Sequence, residues 1–102
     1  MIEVRFDDLV IAKAANLEMN RAKKACDELN HLMSIGYLNT QTGVDKAEEA
    51  KAHLTKAHDL LARIDTPEVN ATRAGIQATI TAQDMVIRRI KLSMKLRELG
   101  LS

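Results

Sequence analysis

Apolar side chains recur along this chain at alternating steps of three and four. From Ala12 the series runs through Ala15, Met19, Ala22, Cys26, Leu29 and Met33. That heptad-like spacing is the mark of a helix with one face packed on another helix. The small residues in the series let a partner come close. Asp7 or Asp8 supplies a cap, and the pattern predicts a first helix over about residues 7–38. Asn39-Thr-Gln-Thr-Gly43 then interrupts it with turn-forming residues.

A second helix is predicted over about residues 44–65, capped by Thr42-x-x-Asp45 or Asp45-x-x-Glu48. Its seam is Ala47, Ala50, Leu54, Ala57, Leu61 and Ile64. Thr66-Pro67-Glu68 is a helix start in three parts: a hydroxyl cap, a proline where no N–H is needed, and an acid beside the positive dipole end. A third helix follows over about residues 67–99, with Gly100 placed to close it. Breaks at Gly36 and at Gly75 are the alternatives within the two long helices. Before them, Ile2, Val4 and Phe6 alternate with Glu3 and Arg5. This period of two predicts an extended arm over residues 1–6 that packs Phe6 on the bundle. A strand paired with a neighbouring subunit is the other reading of that arm.

The fold class expected from these elements is all-α: an up-down-up three-helix bundle in one domain over residues 1–102, oligomeric, with a short second helix. At 1.5 Å per residue the helices measure roughly 48, 33 and 50 Å. The second is too short to cover either neighbour. Two overhangs result, one carrying Leu9, Val10, Ile11 and Leu17, the other Ile90, Leu92, Met94, Leu96 and Leu99. Uncovered apolar surface of that kind calls for a partner.

The last helix carries the most specific pattern. Successive 100° steps place Ile76, Ile80, Ile87, Ile90 and Met94 on one stripe, and Met85, Leu92, Leu96 and Leu99 nearly opposite. Arg89 and Arg97 border the second stripe. Asp84, Arg88, Lys91, Lys95 and Glu98 form a narrow charged strip between the two, with acids and bases at pairing distance. A membrane-surface helix has one apolar face and a broad charged one. Two apolar stripes instead predict a helix packed on two sides by other helices.

Composition narrows the chemistry. Apolar residues make up 46% and charged residues 28%, with one Phe, one Tyr and no Trp, so the core is aliphatic. Fifteen basic residues against fourteen acidic leave a net charge of +1, not the basic excess of a chain built to neutralise phosphates. One cysteine allows no internal disulfide and fits a reducing, cytoplasmic setting. Neither a signal peptide nor a membrane span is expected.

Catalytic and metal motifs are sparse. Glu28-x-x-His31 has the spacing of a carboxylate–histidine ligand pair, but no second copy exists and His31 projects away from the seam. Glu49 and His53 share a helix face, while His53 and His58 flank the seam on opposite sides. Cys26 lies within the first seam and reads as a buried small residue. No catalytic residue, metal or cofactor is assigned.

The expected function is a non-enzymatic protein–protein interaction module: an adaptor, assembly factor or small inhibitor that self-associates, most simply as a homodimer. Leu92, Leu96 and Leu99 are the expected anchors, with Arg89 and Arg97 beside them to pair with partner acids. The alternative is a nucleic-acid-associated regulator whose dimer juxtaposes two copies of Arg88, Lys91 and Lys95.

Overall fold

The computed structural model describes residues 6–101, and among these the chain is all helix and connection, without strand. α1 spans Phe6–Ser34, α2 spans Gln41–Leu61 and α3 spans Pro67–Glu98. The expected arm falls on residues 1–5, outside the described residues, and Phe6 already belongs to α1.

α1 ends four residues short of the expected Leu38, and the reason is local. Gly36 adopts φ +79°, a left-handed conformation that only glycine takes without strain. Tyr37 N–H then donates to the Leu32 carbonyl at 2.8 Å and Gly36 N–H to the Met33 carbonyl at 3.3 Å. These two bonds form a Schellman closure that satisfies carbonyls the helix end would orphan. Gly100, at φ +71°, closes α3 the same way through Leu101 N–H to Leu96 O and Gly100 N–H to Arg97 O.

α2 starts earlier than expected, because its cap is Thr40 and neither Thr42 nor Asp45. The Thr40 hydroxyl accepts from Gly43 N–H at 3.3 Å and donates to the Tyr37 carbonyl at 2.7 Å. It thereby joins the helix start to the end of the preceding turn. Thr66 caps α3 by accepting from Val69 N–H at 3.2 Å, with Pro67 and Glu68 in the first turn. α3 runs through Gly75 as one helix.

α2 is the middle helix and packs on both α1 and α3, whose backbones stay apart from each other. Its seam is buried throughout: Ala47, Ala50 and Ala57 have no exposed surface, and Leu54, Leu61 and Ile64 retain less than a tenth of theirs. Two clusters form along it. Ala15, Ala22, Leu54, Leu61, Ile64, Ile76 and Ile80 make one, and Leu29, Val44, Ala47, Ile87 and Ile90 the other. The α1 seam is narrower than its spacing suggests. Ala15, Ala22 and Leu29 are buried and Ala25 joins them, whereas Ala12 and Met33 are exposed. α1 packs chiefly on α2 and meets α3 only through side chains, as where Cys26 meets Gln83, so its covered face is a narrow stripe. The molecule is a rod of 62 × 19 × 16 Å.

Candidate functional site

The two stripes of α3 separate as the spacing requires. Ile76, Ile80, Ile87 and Ile90 face α2 and are buried, with Met94 packed at their end. On the other side Met85 is 53% exposed, Leu92 60% and Leu99 59%, with Leu96 half-buried between them. α2 takes the isoleucine face and α1 reaches α3 at Gln83, so Met85, Leu92 and Leu99 on the outer stripe stay exposed.

The overhangs are shorter than expected. α2 begins at Gln41, and the α1–α2 connection reaches the end of α3, where the Arg97 guanidinium donates to the Asn39 carbonyl at 2.7 Å. Ile90 is consequently 1% exposed, and Met94 packs against the Val44 cluster with Leu38. Arg97 is exposed and donates one guanidinium N–H to the Asn39 carbonyl. At the opposite end Ile11 packs on the lower cluster, while Leu9, Val10 and Leu17 are about half exposed.

The basic strip is partly neutralised. Arg88 and Lys91 border an open groove of about 670 Å³ between α2 and α3, together with Lys51 and Lys56 but also Glu48 and Asp84. Lys51 pairs with Asp84 at 2.7 Å, Lys91 lies 4.0 Å from Glu48, and Lys95 lies 3.9 Å from Glu98. Arg88 and Arg89 are both exposed. A phosphate approaching this groove meets carboxylates as well as cations.

Between α1 and α2 the charges form a contact that the sequence motifs did not reveal. His53 Nδ1 lies 2.6 Å from the Glu18 carboxylate, and both side chains are largely covered. The hydrogen bond from His53 holds the Glu18 carboxyl below its ordinary 4.5, with the Arg21 guanidinium assisting and partial burial opposing. Further along, Lys46 bridges Glu28 and Glu49; these contacts lower the Glu28 carboxyl and raise the Lys46 ammonium. His53 and Glu49 share the α2 face that borders α1, as their spacing places them, and His53 pairs with Glu18 across the interface. The signal for this pairing lies in register between helices, which spacing within one helix does not carry.

Cys26 is half-buried, and its Sγ lies 3.6 Å from the Gln83 amide of α3. Burial pushes the thiol up, and the Asp27 charge adds to the effect, opposite to what a nucleophile requires. His31 is exposed on the outer side of α1. Among the described residues no group of His, Cys, Asp and Glu is disposed to hold a metal ion, and no helix is long and apolar enough to cross a membrane. Comparison with known proteins adds no relative: no family model, curated protein or solved structure matches the chain.

Proposed function

We propose that this chain is a non-enzymatic helical interaction module, an adaptor, assembly factor or small inhibitor, that self-associates as a dimer. One observation carries the reading: Met85, Leu92 and Leu99 stand more than half exposed in a row on α3, while the opposite stripe of the same helix is buried. Apolar side chains aligned on a continuous helix face, unlike scattered surface leucines, favour a second helix as their cover. The bundle is up-down-up in this reading. Supporting that order, the α1–α2 pairs Glu18–His53 and Glu28–Lys46 rise in number on one helix and fall on the other, as do Lys51–Asp84 and Glu48–Lys91 between α2 and α3. Its setting is the cytoplasm, for which the lone Cys26 is the sequence support.

Light scattering behind a sizing column, over a wide range of protein concentration, tests the proposal. A mass rising towards twice the 11.3 kDa of the chain supports it, and a constant monomer mass rejects self-association. The second reading, a nucleic-acid-associated regulator, draws on Arg88 and Lys91 in the α2–α3 groove and on Lys95 beyond it. Titration with generic duplex DNA at low salt separates the two. Binding that falls steeply with added salt favours the regulator, and absence of binding rejects it.

A further inference from the structure

The exposed face of α3 is longer than its leucines. Counting back from Leu99, Leu96 and Leu92, the three–four spacing continues through Arg89, Met85 and Ala82. It runs on through Ala78, Gly75 and Ala71, and all six of these earlier positions are exposed. A repeat of 3.5 residues kept up for about four heptads, uncharged but for Arg89, has the spacing of a coiled-coil seam. It lies opposite the isoleucines that face α2, so a partner helix can occupy it without displacing anything.

This seam is graded by size: alanine and glycine in its first half, methionine and leucine in its second. Protein interiors pack at nearly uniform density, so large side chains settle where they meet small ones. A parallel pair sets leucine on leucine at one end and alanine on alanine at the other, and the two helices splay. An antiparallel pair of α3 helices matches the halves. In the register that does this, Leu96 lies against Ala71 of the second copy, Leu92 against Gly75 and Met85 against Ala82. The grading is self-complementary, and that identifies a second copy of this chain as the occupant.

Charge gives the same orientation. Arg89 occupies a core position of the seam, and in a parallel dimer it meets Arg89 of the other copy in one layer. In the antiparallel register it lies over Ala78, and the two arginines are about 16 Å apart at 1.5 Å per residue. Its stem covers the alanine while the guanidinium reaches water. Arg88 and Lys95, on one edge of the seam, run beside the uncharged Thr81 and Ala74 of the second copy.

We infer that two copies of the chain associate through the outer faces of α3 in antiparallel orientation, the leucine half of each covering the alanine–glycine half of the other. This rests on the self-association reading above and specifies its geometry. The area sets the strength. Leu99 falls over Glu68 of the second copy, beyond the alanine–glycine half. Met85, Leu92 and Leu96 each remove roughly 60–120 Å² from water, about 360–720 Å² over both copies, below the lower edge of specific interfaces. The dimer is therefore reversible and dilutes to monomer.

Spin labels test the geometry in the full chain with Cys26→Ala as background. In Lys95→Cys, the two labels of a dimer sit about 35 Å apart along the axis. Mixed with Ala74→Cys, they come within about 15 Å. A short distance between the two Lys95→Cys labels overturns the antiparallel arrangement while leaving dimerisation intact. A monomer mass by light scattering for the unlabelled chain overturns self-association itself. Helicity by circular dichroism confirms that each variant is folded; these positions are exposed, so loss of fold is not expected.

Discussion

The Glu18 carboxylate and His53 Nδ1 lie 2.6 Å apart across the α1–α2 interface, a contact between residues far apart in sequence. Because the contact holds Glu18 below its ordinary 4.5, the carboxylate contributes stability that is fully present above that value. The contribution is lost as pH falls through the depressed value. Glu18→Gln is expected to lower the urea midpoint at pH 7, and the gap from the parent to close progressively below about pH 4.5. Urea unfolding followed by circular dichroism across that range checks it, and a gap independent of pH contradicts it.

Gly43 sits in the first turn of α2 directly beneath the α1–α2 connection. A Cβ there would overlap the Leu38 carbonyl, a backbone atom that cannot swing aside. Gly43→Ala is expected to destabilise by roughly 1–3 kcal/mol, although alanine is the better helix former. Nothing lies within 4 Å of a Cβ built on Gly75, and Gly75→Ala is expected to stabilise the monomer by about 1 kcal/mol. Denaturant unfolding of both variants at low protein concentration checks the opposite signs.

Ile90 is 1% exposed in the upper cluster. Ile90→Ala removes those contacts and leaves a cavity, with an expected loss of about 2–5 kcal/mol. The Thr66 hydroxyl holds Val69 N–H at 3.2 Å, and Thr66→Ala is expected to cost about 1 kcal/mol through loss of the cap. Chemical denaturation ranks the two, and an equal effect would contradict the assigned roles.

The helices were legible because their signals are local. Thr66-Pro67-Glu68 announces the start of α3, and Ala47, Ala50, Leu54, Ala57 and Leu61 mark one face of α2 by spacing alone. The end of α1 was legible only as an alternative, because Ile35, Tyr37 and Leu38 carry the apolar pattern past Gly36 until its φ of +79° is known. The Thr40 cap was hidden by Thr42, an equally good residue two positions on. Cross-helix contacts such as His53–Glu18 and Arg97–Asn39 depend on how far one helix slides along another. That offset is set by the packing of the alanine layers and the length of the connection, which no periodicity records. The outer stripe of α3 was visible in the sequence, because Met85, Leu92, Leu96 and Leu99 are separated from the isoleucine stripe by geometry alone.

The central claim is that the outer face of α3, and not exposed leucine in general, holds two chains together. Sedimentation equilibrium of the parent, Leu92→Glu and Leu101→Glu tests it most directly, since Leu92 and Leu101 are 60% and 70% exposed but only Leu92 lies on the seam. The expected result is a monomer–dimer equilibrium for the parent and Leu101→Glu, with Leu92→Glu monomeric at every concentration and equally helical. A parent that stays monomeric, or a Leu92→Glu chain that dimerises as the parent does, would contradict it.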